Sequence, residues 1–542
     1  MIRNLLKTES LAWPLILCLV AAFVCVFTYN TADPDLWGHV RYGDDMLRQG
    51  RIFDTDPYSY LSDGFPWVNH ELLCEFTLGY LEPRFGVAGL FGWKLLMGAV
   101  LVGALVWTHR GSRYEPLTIV TVGSLLALSL WPGWTFRPQI FTYTFLSLLA
   151  LLSTEHGRGR RHVLWFAPPL MIAWTNAHGG FVAGLGVLAV YVIFAIIKNE
   201  ARREAGWFAN CVELVVVMLA TCAATLVNPY GTGLLTWLWD SLTYPRPEIS
   251  EWWSVRLFSR DYFAFKLFVA LSAVVLITSR RPQQWVHLAI LSMAALQAFL
   301  HCRHIPLFAI LAAYRLPEHL DDCVQRLRTW LNRRAALPGP DAGSVRMYRA
   351  ALFALTVLFT GLSVAQVRAI EVERAAFPVS AFEFIERHQL SGRMVTEFNW
   401  GQYCLYSFSP RILVSVDGRF DTSYSREVLD VNLDFMMGDH PRFRNRSPQT
   451  GPFQADRVLD LNQPNLALID RQRTKCVEAI ERRPDWLLLY QDALAQVWGR
   501  REVYDDPKSS EYLPPSERLI SNETQAGTVA YPALPAAAAR AR

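Results

Sequence analysis

Long apolar runs alternate with short polar segments over the first two thirds of the chain. Most of these runs approach the roughly 20 apolar residues that a membrane-spanning helix needs. The pattern predicts an α-helical polytopic membrane protein with about 11 transmembrane helices, of which the two at 163–175 and 305–314 are short. The runs cover residues 11–29, 86–107, 117–134, 140–152, 163–175, 181–197, 212–227, 262–278, 285–300, 305–314 and 349–367.

The first run follows the basic residues Arg3 and Lys7, and no small-x-small cleavage site comes after it. This arrangement is typical of a retained signal anchor whose N-terminus stays in the cytoplasm.

Basic residues fall mainly in alternate loops, as the positive-inside rule expects of cytoplasmic loops. The opposite short loops are nearly free of Lys, although they hold Arg137, Arg246, Arg256 and Arg303. After eleven crossings the chain from residue 368 lies outside, which in a bacterium is the periplasm. We therefore predict a multi-pass protein of the bacterial inner membrane. The predicted inside loops hold Arg110, Arg113, Arg158, Arg160, Arg161, Lys198, Arg202, Arg203, Arg280, Arg281 and the Arg-rich segment 315–349.

The C-terminal third alternates short β-like runs with helical stretches, which predicts a small periplasmic α/β domain over 368–506. The preceding 1–367 form the predicted transmembrane domain, with a large first periplasmic loop at 30–85. From 507 to 542 the chain lacks periodicity, which predicts a disordered tail. Cys404 and Cys476 both lie in the α/β region, and their spacing leaves open whether they pair.

Composition removes several classes of protein. Hydrophobic residues make up 52% of the chain and charged residues 18%. This composition is too apolar for an ordinary soluble enzyme, and it also excludes a disordered chain. The 52 Lys and Arg nearly balance the 48 Asp and Glu, so charge gives no argument for nucleic acid. No CxxC pair occurs, which excludes a zinc ribbon or a thioredoxin-type motif.

Polar and ionisable residues of the kinds used in catalysis and ligand binding gather on the predicted outer face. Ionisable groups at the edge of the hydrocarbon are costly unless a cavity hydrates or pairs them, so their collection at one face indicates a site. These polar segments are 33–39, 54–59, 66–71, 137–139, 174–181, 228–231, 250–253 and 301–304.

Structural explanations compete with functional ones at several of these positions. Asp33 is well placed to cap a helix that begins at Pro34, and capping does not exclude catalysis. His178 precedes two glycines, which either start a helix or let a ligand approach the backbone. Arg303 is a basic residue in a predicted outside loop, where the positive-inside rule disfavours it. Its planar guanidinium donates two parallel hydrogen bonds, which suits phosphate oxygens.

A metal site within residues 301–304 is disfavoured. His301, Cys302 and His304 are all ligand types for zinc, but three ligands within four residues do not converge easily.

The polar segments resemble those of a group of bacterial polytopic proteins related to the GT-C glycosyltransferases, which use lipid-phosphate-linked sugars. That resemblance implies that an acidic residue just after the first helix, here Asp33 or Asp35, serves as the general base or as a metal ligand. This sequence has D-P-D in place of an adjacent acidic pair, so which aspartate acts stays open. The matching stretches are DPDLWGHVRYGDDMLRQGRIFDTDPYSY, PWVNHELLCEF, WTNAHGGFVAGL, LVNPYG, ISEWWS, HCRHIPLFAILAA and FNWGQYCLYSFSPRILVSVDGRFD.

The hypothesis is an inverting glycosyltransferase that moves a hexose or pentose from a polyprenyl-phosphate-linked donor to a glycan, lipid or protein acceptor of the envelope. Its partners are that donor, the acceptor and the lipid bilayer, with no nucleic acid, and a divalent cation is the one cofactor left open. The alternatives are a non-catalytic GT-C-like assembly factor for envelope polysaccharide and, less favoured, a transporter or flippase. The expected substrate-binding residues are His39, His70, Glu71, Arg137, Asn176, His178, Glu251, Arg303 and His304.

Overall fold

A computed structural model describes residues 9–62, 64–202, 206–334, 342–440 and 442–535. The chain divides into two compact units. Unit 1 consists of Met1–Tyr29, Ala88–Thr232 and Ile249–Arg368, and unit 2 consists of Asn30–Val87, Gly233–Glu248 and Ala369–Arg542.

An α-helix occupies most of each predicted apolar run, and some of the helices start or end up to four residues inside it. The helix over the second run starts well before it and is interrupted at Gly86, whose φ of 56° and ψ of −149° are not helical. The helices are Glu9–Phe27, Leu72–Thr108, Pro116–Leu130, Gln139–Gly157, Ala167–Thr175, Phe181–Arg202, Trp207–Ala224, Phe263–Thr278, Trp285–Leu300, Ile305–Arg334 and Ala342–Gln366.

Within the described residues, five helices are long and apolar enough to cross a membrane. The prediction of a helical membrane protein is therefore confirmed, while the number of eleven crossings stays a prediction. Three shorter apolar helices span Leu11–Phe27, Phe263–Thr278 and Trp285–Leu300. The five long segments are Leu72–Thr108, Pro116–Gly133, Phe181–Ala201, Trp207–Ala224 and Gly343–Gln366.

Within unit 1 the first and last helices pack side by side. The Thr28 hydroxyl donates a 2.8 Å hydrogen bond to Gln366 Oε1 at the end of this pair. The ring of Phe27 fills the space beside Gly98, where a Cβ atom would lie 2.4 Å from Phe27 Cδ2. The glycine thus lets a large aromatic side chain of the first helix approach another helix closely.

Two of the loops predicted to lie inside meet at one acidic residue of unit 1. Arg110 Nη1 and Arg158 Nη1 lie 2.8 and 2.7 Å from Glu155 Oε1, and Arg160 Nη1 lies 3.1 Å from Glu155 Oε2. These two loops therefore lie next to each other in unit 1, while the side of the membrane on which they lie stays a prediction.

Unit 2 is built on a mixed six-stranded sheet, which confirms the predicted C-terminal α/β region. We number the strands β1 to β8 in chain order, and the sheet order is β3-β2-β4-β6-β5-β7. Short helices Val379–Arg387, Gly401–Phe408, Arg426–Met437, Thr474–Glu481 and Arg501–Tyr504 connect or flank the strands. The strands are β1 Glu371–Glu373, β2 Gly392–Thr396, β3 Ile412–Val414, β4 Leu466–Asp470, β5 Trp486–Gln491, β6 Ala495–Arg500, β7 Leu519–Ile520 and β8 Thr528–Ala530.

The first predicted outside loop belongs to unit 2, together with the sheet. Its helix Leu36–Gln49 packs on Gly401–Phe408. Its extended part reaches the sheet edge, where Tyr60 N–H donates to the Val414 carbonyl and Val414 N–H donates to the Tyr58 carbonyl. The predicted boundary at 367 differs from this grouping because long-range backbone pairing, which periodicity does not reveal, joins 30–87 to the C-terminal region. Helix Thr232–Thr243 also belongs to unit 2 and begins at the boundary between the units. No predicted apolar run corresponds to it.

A buried arginine ties the loop to the sheet region. Arg419 Nη2 lies 2.8 Å from Asp56 Oδ2 and 2.6 Å from Asp417 Oδ2, and both carboxylate side chains are fully buried. The guanidinium also lies over the rings of Tyr42 and Trp67, at 4.7 and 4.6 Å. Three of these partners come from the first loop, so Arg419 holds that loop by charge and by cation–π contact.

The disorder predicted from residue 507 onward is wrong for the described part of the tail. Strand β7 pairs with β5, and β8 pairs with β1. The Trp37 indole N–H donates to the Pro532 carbonyl at 3.0 Å. Order here comes from partners far away in sequence, which local composition does not reveal, and 536–542 lie outside the described residues.

Cys404 and Cys476 do not pair. Both are buried free thiols, and each contacts a different methionine sulfur, Met394 Sδ at 3.9 Å and Met436 Sδ at 3.8 Å. They act as small apolar groups of the sheet core.

We expect Arg419→Gln to lower the free energy of unfolding by about 3 to 5 kcal/mol, because it leaves two buried carboxylates without their cation. The measurement is denaturation of the purified protein followed by near-ultraviolet circular dichroism. Arg482→Gln is the matched control, since Arg482 is 79% exposed beside Glu478 and its removal should cost no more than about 1 kcal/mol. Equal losses in the two variants would contradict the assignment.

Candidate functional site

Asp33 and Asp35 occupy the turn that leads into helix Leu36–Gln49. The helix starts at Leu36, not at Pro34 as the capping interpretation predicted, and its N-cap is Asp35, without a side-chain cap bond. Asp33 Oδ1 instead accepts the Asp35 N–H at 3.0 Å. Asp33 is buried and shapes this turn, while Asp35 is half-buried.

The Asp35 carboxylate faces a glycine of the sheet region within unit 2. A Cβ atom on Gly418 would lie 2.3 Å from Asp35 Oδ1 and 2.8 Å from Gln402 Nε2. Gln402 in turn packs against Gly38, where a Cβ atom would lie 2.2 Å from its Oε1. The glycine at 418 therefore lets the Asp35 and Gln402 side chains approach the backbone in the positions that they occupy here.

Three potential ligands converge next to this turn. His39, Glu71 and Glu75 place one side-chain ligand atom each within 4.8 Å of one another. His39 and Glu75 are buried, and the Glu71 side chain is 22% exposed. Two of the three were predicted from sequence, and the structure adds Glu75.

Neighbouring polar groups orient these carboxylates. Asn69 Nδ2 donates to Glu75 Oε2 at 2.5 Å, and Asn69 Oδ1 accepts the Glu71 N–H at 3.0 Å. His70 Nε2 lies 3.5 Å from Glu71 Oε1, and its ring stacks on Trp237 with centroids 4.7 Å apart. The predicted residue His70 therefore lies beside the cluster.

The carboxylates make the surroundings of His39 strongly anionic. Burial by itself lowers the pKa of His39, but Glu75 and Glu71 outweigh burial and raise that pKa to about 9. Positive charge is thus favoured at this position near neutral pH.

In unit 1 the structure brings together Arg137, Glu251 and Arg303. Arg137 Nη1 donates a short hydrogen bond to Glu251 Oε1. Burial raises the pKa of Glu251, yet the guanidinium groups of Arg137 and Arg303 outweigh it and hold the pKa below its usual value. Two cations against one carboxylate leave this group with a net positive charge.

The residues around Arg303 are fixed by backbone contacts. Its guanidinium lies 4.8 Å from the centre of the Trp252 ring. His301 Nδ1 lies 2.9 Å from the Trp252 carbonyl, and the Cys302 N–H donates to the Trp253 carbonyl at 3.0 Å. Whether residues 301–304 bind a metal stays a prediction.

His304 is held neutral. Burial and the neighbouring positive charge of Arg303 lower the pKa of His304 to about 4. At neutral pH its contribution to an anion site is therefore hydrogen bonding, not charge.

The Nδ1 atom of His178 accepts a hydrogen bond from the backbone and contacts a threonine hydroxyl. The Gly180 N–H donates to Nδ1 at 3.0 Å, and Thr142 Oγ1, which accepts from the Trp174 indole, lies 2.8 Å from the same nitrogen. With Nδ1 accepting, the proton resides on Nε2. A Cβ on Gly180 would lie 2.4 Å from Thr142 Oγ1, so a side chain at this position would have to displace the Thr142 hydroxyl.

Asn176 joins two chain segments of unit 1. Its Nδ2 donates to the Ile172 and Val227 carbonyls, both at 2.8 Å. These bonds fix the end of helix Ala167–Thr175 to the turn at 228–231, and its role in substrate binding stays a prediction.

The predicted residues thus fall into separate groups within each unit. Asp33, Asp35, His39, His70 and Glu71 belong to unit 2, and the others belong to unit 1. Sequence reasoning missed Glu75 and Gln402. A signal for Glu75 exists, because His39 and Glu75 each precede a glycine by four residues, as expected where two helices cross closely.

Comparison with solved structures identifies the fold. The archaeal oligosaccharyltransferase AglB from Archaeoglobus fulgidus, in complex with an inhibitory peptide and a dolichol-phosphate, matches with a TM-score of 0.54 and 11% identity, over 85% of this chain and 70% of that one. ArnT from Cupriavidus metallidurans bound to undecaprenyl phosphate matches with a TM-score of 0.53 and 13% identity, over 94% and 100%. Its apo state gives 0.52 and 14% over the same shares.

No protein-family model and no curated protein sequence matches the chain. AglB and ArnT are lipid-linked glycosyltransferases of the GT-C family. At these identities the likeness concerns the fold, and the chain has the GT-C fold.

Proposed function

We propose that this protein is a membrane glycosyltransferase that moves a sugar from a polyprenyl-phosphate-linked donor to an envelope glycan, lipid or protein acceptor. The observation that carries the proposal is the GT-C fold, shared with two proteins whose structures hold a lipid phosphate, dolichol-phosphate in AglB and undecaprenyl phosphate in ArnT. The apolar helices of unit 1 suit a donor whose long tail remains in the bilayer.

The proposed site of action is the periplasmic face of the bacterial inner membrane. The alternation of basic loops supports this orientation, because Arg110, Arg158 and Arg160 cluster at one end of unit 1 around Glu155. The glycosyl acceptor and the donor head group would then meet outside the cytoplasm.

Asp35 is the proposed general base. In an inverting transfer the acceptor hydroxyl attacks the anomeric carbon, its proton passes to a carboxylate, and the bond to the lipid phosphate breaks. Asp35 is more exposed than Asp33, whose Oδ1 already accepts the Asp35 N–H. Asp33 therefore acts as a positioning residue that fixes the turn carrying the base.

The net positive group of Arg137, Glu251 and Arg303 is the proposed partner of the donor phosphate. A polyprenyl phosphate leaves as a stabilised anion and needs charge stabilisation instead of a strong acid. Arg303 presents its guanidinium on Trp252, while Arg137 is bonded to Glu251. Arg303 is accordingly the cation that we assign to the phosphate.

We expect Asp35→Asn to reduce kcat by about 100- to 10,000-fold, the usual contribution of a positioned general base. Asp33→Asn should reduce it less, because the amide oxygen still accepts the Asp35 N–H. The measurement is transfer from a polyprenyl-phosphate-linked sugar by purified protein, with melting temperature as a check on folding.

Asp54→Asn is the matched control, since Asp54 lies in the same loop, is exposed and undergoes the same charge change. A larger loss in Asp33→Asn than in Asp35→Asn would reverse the assignment of the base. Full turnover in a protein that carries both Asp33→Asn and Asp35→Asn would contradict a base in this turn. Binding of donor without turnover by the unmodified protein would favour a non-catalytic assembly factor.

For Arg303→Gln we expect kcat/KM for the donor to fall by about 10- to 100-fold, the value of a hydrogen bond to a charged group. Arg303→Lys should recover only part of the loss, because an ammonium lacks the planar fork. Arg256→Gln is the control, because Arg256 is an exposed arginine between the turn at 250–252 and helix Phe263–Thr278 of the same unit. Equal kcat/KM in the Arg303→Gln and Arg256→Gln proteins would refute the phosphate assignment.

A further inference from the structure

The cluster of His39, Glu71 and Glu75 in unit 2 has the composition of a metal site. We propose that these three side chains bind one first-row divalent cation, with Zn²⁺ as the best fit. The site uses neither aspartate of the Asp33-Pro34-Asp35 turn, and the proposal does not depend on sugar transfer.

The distances suit a zinc ion. Zinc bonds to nitrogen and oxygen of about 2.0–2.2 Å place the ligands of a tetrahedral site about 3.4 Å apart. His39 Nδ1 already lies 3.6 Å from Glu75 Oε1. The whole set lies within 4.8 Å, so a small rotation of side chains completes it.

A close helix crossing holds two of the ligands face to face. His39 lies four residues before Gly43 on helix Leu36–Gln49, and Glu75 lies four residues before Gly79 on helix Leu72–Thr108. A Cβ on Gly43 would lie 1.8 Å from the Glu75 carbonyl oxygen, and one on Gly79 would lie 2.3 Å from the Asp44 nitrogen. The backbones therefore touch beside the cluster, and this contact fixes the separation of the backbones that carry His39 and Glu75.

A second layer of hydrogen bonds orients the ligands, as is usual at metal sites. Asn69 binds Glu75 Oε2 and leaves Glu75 Oε1 on the His39 side. The same amide fixes the backbone of Glu71. One asparagine thus orients the Glu75 carboxylate and fixes the backbone that carries Glu71.

An independent observation is the state of the His39 ring. His39 is only 5% exposed, and its Nδ1 faces Glu75 Oε1 at 3.6 Å, longer than an ordinary hydrogen bond. A cation between this nitrogen and the carboxylate oxygen would give both buried atoms a direct bond.

The donor set selects the class of ion. One imidazole nitrogen with two carboxylate oxygens suits Zn²⁺ or a similar transition metal better than Ca²⁺ or Mg²⁺, which prefer oxygen ligands alone. Three protein ligands leave a coordination position open for water or another oxygen ligand. Glu71, at 22% exposed, is the side from which the ion enters.

The test is Zn²⁺ binding to the full-length protein, purified through a tag without histidine, stripped with a chelator and titrated against a chromophoric zinc chelator. We expect one tight Zn²⁺ per chain, and a Co²⁺ spectrum typical of low coordination number. Glu75→Gln and His39→Gln should each weaken binding by at least about 100-fold, and Asn69→Ala by about 10- to 100-fold.

Asp44→Asn is the matched control, because it lies on the helix of His39 and loses a carboxylate that pairs with Arg48. It should bind Zn²⁺ as the unmodified protein does. Melting temperatures of the metal-free variants separate loss of ligand from loss of fold, and Asn69→Ala, which keeps all three ligands, serves if a ligand variant does not fold.

Three results would overturn the proposal. They are the absence of tight Zn²⁺ binding to the unmodified protein, undiminished binding in Glu75→Gln and His39→Gln, and displacement of Zn²⁺ by equimolar Mg²⁺. None of these readouts involves glycosyl transfer, so failure of the metal site and failure of the proposed enzyme are distinguishable.

Discussion

The buried ion pairs of Arg419 are the interaction on which unit 2 depends. One guanidinium satisfies Asp56 from the first loop and Asp417 from the sheet region, while Tyr42 and Trp67 cover it. Charges buried this deeply are tolerated only when they are paired, so the loop and the sheet region order together. This contact also positions the turn with Asp33 and Asp35. The Asp35 carboxylate faces Gly418, which lies between Asp417 and Arg419 in the sequence.

Glycine has a comparable role where polar side chains must approach closely. Gly43 and Gly79 let two helices touch, and the contact sets His39 opposite Glu75. In unit 1, Gly180 leaves space in which the ring of His178 contacts the Thr142 hydroxyl. At these positions the absence of a Cβ decides the geometry of a polar group, which explains why the motifs containing His39 and His178 are rich in glycine.

The sequence predicts those helices and strands whose hydrophobic pattern is visible within the segment itself. The apolar runs became helices, and the β-like runs near 393, 466 and 486 became strands β2, β4 and β5, because hydrophobic period reflects burial directly. It failed where order comes from distant partners. The tail is held by strand pairing with β1 and β5, and Glu75 reaches His39 only through a helix crossing. Glu75 lies near the start of an apolar helix, and nothing in the sequence around it indicates that His39 is its partner.

The account's central claim is that this GT-C fold serves a polyprenyl-phosphate-linked sugar donor. The most direct measurement is mass spectrometry of the lipids that co-purify with the protein, followed by incubation of the same preparation with acceptor-containing envelope extract. The account predicts a bound polyprenyl phosphate or its glycosylated form, and conversion of the glycosylated lipid to free polyprenyl phosphate. Bulk phospholipid alone, with an added glycosylated lipid left intact, would contradict it.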